Sequence, residues 1–326
     1  MDGSALGDTP RWALLADDLS GACDSAVAFA KAGFQARFEL DAGGAGADAE
    51  LLALSTESRE LAPDEAARAV GDACTRLRDA GVALVFKKID SVLRGPVEAE
   101  IAAAVEAGGF EGAVVCPAFP SQGRVVRDGR LYVHGEPGPA APAGELLEWR
   151  DAVTDADLDG LAQEILRRPR RLAVGSGGLA AAFARALGAL HHRMAFDPPP
   201  PWSALPTGFW IGSEHPATLA QLEQLPEGSL IERVDMHLAE TDVRPLVGAL
   251  AHHRIGALVL SGGATARRIL DGLGAQAIEI RGEVIAGAPW GTIIGGLADG
   301  LTVVTKSGGF GDDRALVRIL EILSPS

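Results

Sequence analysis

Short apolar runs recur along this chain, and each gives way to a small or charged turn and then to a stretch with helical spacing. Trp12–Leu15, Ala36–Leu40, Leu51–Leu54, Val82–Phe86, Ala113–Cys116 and Arg171–Val174 are such runs in the first part. Gly208–Ile211, Leu230–Val234, Ala257–Leu260 and Leu301–Thr305 repeat the pattern later. Runs this short, bounded by turn residues, read as buried strands. Between them, 63–80 sets Ala66, Val70, Ala73, Cys74 and Leu77 on one helical face, with Gly81 as its C-cap. Pro96 opens another helix that reaches Ala107. Strand and helix in strict alternation demand a parallel, doubly wound sheet.

A chain of 326 residues exceeds one average domain. The proline run Pro198–Pro201 is stiff and cannot continue a sheet interior, so the junction falls there. The expected fold is α/β, with two doubly wound parallel-sheet (Rossmann-like) domains and an active-site cleft between them. Their bounds are 1–200, with 1–10 a flexible tail and 197–207 a linker, and 208–326. Residues 117–124 read as a turn-rich loop, Arg130–Val133 as a short hairpin strand, and 135–144 as irregular.

Charge narrows the partners. A formal net charge of −15 argues against a general nucleic-acid or anionic-membrane surface, so an anionic substrate needs a locally basic pocket. No apolar run approaches the roughly 20 residues that cross a bilayer. The N-terminal residues lack the basic start and apolar centre of a signal peptide. Cys23, Cys74 and Cys116 are odd in number and far apart, which suits small buried residues in a reducing cytoplasm.

Ligands of open α/β sheets sit beyond the carboxyl ends of the strands. Three such ends carry polar groups here: Asp17-Asp18 after the first strand, Arg59 after the third, and the stretch Lys87-Lys88-Ile89-Asp90-Ser91-Val92-Leu93-Arg94-Gly95 after the fourth. Arginine can grip a carboxylate bidentately, and aspartate can accept hydrogen bonds from hydroxyls. A kinase positions an acceptor hydroxyl, usually beside a carboxylate that takes its proton, and Asp18 and Asp90 are both candidates. One of Asp17 and Asp18 reads equally well as a helix N-cap. The pair lacks the Asp-x-Asp spacing of the haloacid-dehalogenase phosphatases.

The later part carries small-residue turns at the Ser213 loop, Ser261-Gly262-Gly263-Ala264-Thr265 and Lys306-Ser307-Gly308-Gly309-Phe310-Gly311. Glycines admit a ligand close to the backbone, and the helix that follows offers free N–H groups to phosphate. Lys306 would add a point charge. Together these turns favour a nucleotide site, while the lack of a Walker motif or a G-x-G-x-x-G after a strand disfavours a dinucleotide dehydrogenase. His191-His192 and His252-His253 read as surface histidines at helix ends. Trp290 is a packing residue or the wall of a base pocket.

Taken in order, Ala16–Asp24, Ser58-Arg59, Lys88–Gly95, Cys116–Arg124, Gly175–Leu179, Gly262–Thr265, Gly282–Gly291 and Lys306–Gly311 resemble the four-carbon acid sugar kinase family. The resemblance spans most of the chain. It implies an N-terminal acid-sugar domain and a C-terminal nucleotide domain, with Mg·ATP phosphorylating a hydroxyl of a short sugar acid such as threonate or erythronate. The substrate pocket would then include Asp17, Asp18, Arg59, Lys88, Asp90, Ser91 and Arg94. The ATP side would include Ser213, Gly262, Gly263, Ala264, Thr265, Lys306, Gly308 and Gly309. ATP and Mg2+ are the implied cofactors, a homo-oligomer is compatible, and no residues are implied as a resident metal site. Ala264 stands where the family has an acid, Ser20 where threonine is common, and the segment around 135–155 is short. The alternative is a non-catalytic sugar-acid-binding protein or sensor derived from these kinases.

Overall fold

A computed structural model describes residues 11–40, 49–141, 144–236, 243–251 and 255–324. The expected tail 1–10, most of the loop before Leu51, and His252-His253 lie outside the described residues. The chain starts with β1 (Trp12–Ala16), α1 (Leu19–Lys31), β2 (Ala36–Glu39) and β3 (Leu51–Ser55). It continues through α2 (Pro63–Asp79), β4 (Ala83–Lys88), α3 (Val97–Gly108) and β5 (Gly112–Cys116). Three antiparallel strands follow, β6 (Arg124–Arg127), β7 (Arg130–Val133) and β8 (Glu136–Ala140). Then come β9 (Leu147–Trp149), α4 (Asp155–Leu166), β10 (Arg171–Gly175) and α5 (Gly177–Leu190). The later part holds β11 (Thr207–Ile211), α6 (Pro216–Glu223), β12 (Leu230–Arg233), α7 (Arg244–Ala251), β13 (Ala257–Ser261) and α8 (Gly263–Gly272). It ends with β14 (Ala277–Ile285), β15 (Ala288–Ile294), β16 (Thr302–Lys306) and α9 (Ala315–Leu323).

Two parallel groups lie side by side in one sheet. Its order is β12-β11-β13-β16-β15-β14-β2-β3-β1-β4-β10-β5-β9. The strands from β2 to β9 in that order are parallel, and so are β12, β11, β13 and β16. The hairpin of β14 and β15 bridges them, antiparallel to β2 on one side and to β16 on the other. One hydrophobic core runs unbroken beneath both groups, from Phe86 and Phe183 through Phe29 and Phe38 to Leu258 and Ile269. On the opposite face the core divides, Val70 and Ile101 packing under one group and Leu316 and Ile319 under the other. Among the described residues no helix is long and apolar enough to cross a membrane.

Two expectations need correction. The fourth strand does not stop before the lysines: β4 carries Lys87 and Lys88 as its last residues, because Lys87 finds a buried acid to pair with. Residues 136–140 are a strand rather than irregular chain, since β8 is an outer, largely exposed strand that tolerates Pro137 and Pro139. The 282–291 stretch, rich in glycine and proline, belongs to the β14–β15 hairpin, where register shifts absorb those residues.

Candidate active site

The ends of β1, β3, β4, β5 and β10 meet those of β11, β13 and β16 around one cavity of about 530 Å³. Its wall includes Asp18, Arg59, Lys88, Asp90, Ser91 and Arg94 from the first group, and Ser213, Gly263, Gly308 and Gly309 from the second. Of the expected residues, Asp17, Gly262, Ala264, Thr265 and Lys306 stand behind or beside that wall.

Aspartates and arginines interlock on one side. Asp18 caps α1, its Oδ1 accepting from the Gly21 N–H at 2.9 Å, so the N-cap reading holds for it. Both its oxygens also accept from Arg59, at 2.7 and 2.8 Å. The same guanidinium donates to both oxygens of buried Asp17, at 2.7 and 2.9 Å. Burial pushes Asp18 upward despite Arg59, whereas in Asp17 the cations Arg59 and Lys88 outweigh burial and hold the carboxyl down. Asp90 folds its own loop, accepting from the N–H of Val92 and Arg94, while Arg94 donates to Oδ2 at 2.6 and 3.1 Å. Against the upward pull of burial, Arg94 and Arg59 bring Asp90 down to about 2.

A buried polar chain fixes the two loops behind this lattice. Lys87 Nζ donates to Glu100 at 2.6 Å, and the Ser58 hydroxyl donates to the other Glu100 oxygen at 2.6 Å. Ser58, next to Arg59, also donates its N–H to the Asp17 carbonyl at 3.0 Å.

Lys88 and Arg124 differ from the other cations. Lys88 is only 6% exposed and lines the cavity, and its Nζ has no hydrogen bond or ion pair among the described residues. Gly21 makes room for it, since a Cβ there would lie 2.9 Å from Lys88 Nζ and 2.6 Å from Asp18 Oδ1. Arg124, at the start of β6, donates to the Gln122 carbonyl at 2.6 Å, while its buried Nε has no acceptor. Burial lowers the Arg124 pKa.

The opposite wall is nearly free of charge. A Cβ at Gly308 would collide with Ser213 Oγ, and one at Gly263 would lie 3.1 Å from both Asp18 Oδ2 and Ser20 Oγ. Glycine at these positions lets the turns after β13 and β16 close on the cavity. Helix α6 holds the second turn in place: Thr218 donates to the Gly308 carbonyl at 2.8 Å, and Gln221 to the carbonyls of Phe310, Gly311 and Asp312 at 2.9–3.2 Å. His215 caps α6 through Nδ1 and turns its ring toward Gly309. Lys306 is buried behind the turn, its Nζ donating to the Ser307 carbonyl at 3.0 Å, and burial lowers its pKa to about 8. Trp290 is buried and lines none of the wall.

The cavity also contains Ser20, and residues given no role from the sequence: Asp24, Phe119, Arg124, His134, Gly177 and His215. Asp24, one turn beyond Ser20 on α1, has no hydrogen-bond partner among the described residues. Among those residues no three His, Cys, Asp or Glu side chains group to hold a metal. A Mg2+ carried on nucleotide phosphates asks for little protein ligation and fits a cavity walled by glycine turns.

Two family models match the chain, a sugar-binding N-terminal domain over residues 12–145 and a nucleotide-binding C-terminal domain over 240–316. A D-threonate kinase of Bordetella bronchiseptica is 36% identical, with 96% of this chain and 98% of the relative covered. That alignment is 402 positions long, so the relative carries segments this chain lacks. A B. bronchiseptica protein crystallised as a domain-swapped dimer with bound citrate is 32% identical at a TM-score of 0.52, covering 97% of this chain and 98% of that one. A Haemophilus influenzae protein shares the fold at a TM-score of 0.70 and 17% identity, covering 96% of this chain and all of that one.

Proposed function

The chain belongs to the four-carbon acid sugar kinase family, and from that premise we propose that it transfers the terminal phosphoryl group of Mg·ATP to a hydroxyl of a four-carbon aldonate such as threonate. The observation that carries this reading is the meeting of a charged lattice and uncharged glycine turns across one cavity of about 530 Å³. That volume suits a small ligand together with the phosphate end of a second one.

In this reading Lys88 and Arg124 grip the carboxylate, because they are the cavity cations without a carboxylate partner among the described residues. Arg59 and Arg94 act differently from a direct clamp. Each is committed to aspartates, and they hold Asp18 and Asp90 in place so that carboxylate oxygens and Ser91 can accept or exchange hydrogen bonds with the aldonate hydroxyls. Ser213, Gly263, Gly308 and Gly309 cradle the phosphates, helped by the first turn of α8. Thr265 and Lys306 support that cradle from behind. We assign 1–200 to the acid side and 208–326 to the nucleotide side, a division supported by the two family matches. The dimeric Bordetella relative supports self-association as well.

A coupled assay of ADP release over the four-carbon aldonates tests the proposal. Turnover with at least one of them, dependent on Mg·ATP, is the expected result. Well-folded protein that turns over none of them would overturn it.

A further inference from the structure

Four carboxylates stand at or just behind the cavity, and three are bound by arginine. Asp17 and Asp18 have all their oxygens on Arg59, and Asp18 caps α1 besides. Asp90 accepts two backbone N–H groups and the Arg94 fork. The arginines hold Asp17 and Asp90 ionised, and Asp18, raised by burial, spends its oxygens on Arg59 and the α1 cap.

Asp24 is the exception. It lies on the face of α1 that lines the cavity, with Lys88 and Gly177 in the same wall. A Cβ at Gly177 would stand 2.6 Å from Asp24 Oδ2 and 2.8 Å from the Phe119 ring, so a glycine opens α5 here and leaves the carboxylate room. No donor occupies its oxygens among the described residues. We propose that Asp24 is the general base, taking the proton of the substrate hydroxyl as that hydroxyl is phosphorylated. This rests on the kinase reading above. The hydroxyl O–H bond breaks and its proton passes to an Asp24 oxygen. The freed oxygen bonds to the terminal phosphorus of the nucleoside triphosphate, and the bond from that phosphorus to the bridging oxygen breaks, releasing the diphosphate.

The surroundings poise the group for this task. Burial pushes Asp24 up to about 7; Lys88 opposes the shift, and Glu283 of β14 and Asp18 add to it. Lys31, further along the same helix, is committed to Glu283 and Asp197, and Arg185 of α5 to Asp159. Lys88 is therefore the cation that faces Asp24 unpaired. A base with a pKa near the working pH is the efficient one, and such groups typically contribute about 10²–10⁴-fold.

The test compares the full-length wild type with Asp24→Asn, using Mg·ATP and D-threonate between pH 5 and 9. The variant should lose about 10²–10⁴ in kcat. Its aldonate affinity by calorimetry should stay within about threefold, because the asparagine amide oxygen still accepts from the substrate hydroxyl but cannot take its proton. The acid limb of the wild-type rate profile, near pH 7, should disappear in the residual activity. A thermal readout independent of turnover accompanies it. The raised carboxyl binds protons more tightly when folded, so the wild type loses stability between about pH 4 and 7 and the variant does not. An Asn variant within threefold of wild-type kcat, or one that retains the acid limb, would overturn the role of Asp24 while leaving the kinase reading intact. A wild type that binds aldonate yet turns over none would overturn both.

Discussion

In the proposed function the two walls of the cavity hold anions by opposite means. On the side of β1, β3 and β4 charge is dense, and Arg59 and Arg94 are matched to aspartates. On the side of β11, β13 and β16 the wall is glycine, serine, one histidine and one phenylalanine, with its lysine buried behind the turn. The difference teaches how a protein of net charge −15 can select an anion at all. Two cations stand out against a background already neutralised by carboxylates, so a small acid is placed by a few fixed charges. A phosphate chain needs no such placement, because backbone and hydroxyl donors grip it wherever the turns lie open. The weaker grip also suits a ligand that must leave once its terminal phosphoryl is gone.

Substitutions can break this contrast in a graded way. The largest effect belongs to Lys87→Met, which leaves Glu100 buried without its partner. Unfolding measurements should show a loss of about 3–5 kcal/mol. Combining it with Glu100→Leu should recover much of that loss, since a buried ion pair replaced as a unit is often neutral. Gly308→Val comes next. Its side chain meets Ser213 and should raise the KM for ATP about 100-fold, a loss of about 2.7 kcal/mol, with aldonate binding unchanged in calorimetry. Lys88→Met should do the reverse, weakening aldonate binding about 10–100-fold as a charge-assisted contact is lost, with nucleotide binding intact. Arg94→Ala should weaken aldonate binding only severalfold, since the Arg94 side chain is 60% exposed and acts through Asp90. Equal effects of Lys88→Met and Arg94→Ala would erase the distinction between free and committed cations. Last is an acid transition. Asp90 is held at about 2, so its contribution is present above about pH 4 and lost as pH falls from there toward 2; Asp90→Asn should flatten thermal stability across that window.

Much of the committed lattice was legible in the sequence because it sits at strand ends. Asp18, Arg59, Lys88 and Asp90 each stand within five residues of the end of an apolar run, where charge has no packing reason to be. Asp24 gave no such signal, since an aspartate within a helix that is otherwise apolar and small reads as a residue facing water. Arg124 and His134 were hidden for another reason: they lie at the ends of β6 and β7, short strands of a sheet whose glycines and prolines read as loop. His215 precedes a proline and passes for a turn residue until its ring is seen against Gly309. The strand alternation was readable within each parallel group. The hairpin joining the groups was not, because Gly282, Gly287 and Pro289 break the period that announces a strand, and its partner β2 lies at the other end of the chain.

That joint has a consequence for how the molecule comes into being. Residues 36–39 pair with 277–280, so the first segments made must wait for nearly the last before the sheet is continuous. Loop closure over such a span is slow, and meanwhile β2 presents a row of unsatisfied donors and acceptors. A second copy carries an identical hairpin, so an exchanged pairing would satisfy the same row, and protein concentration would decide between the two. Dilute refolding should therefore favour closed single chains, and concentrated refolding exchanged pairs, from one and the same native ladder.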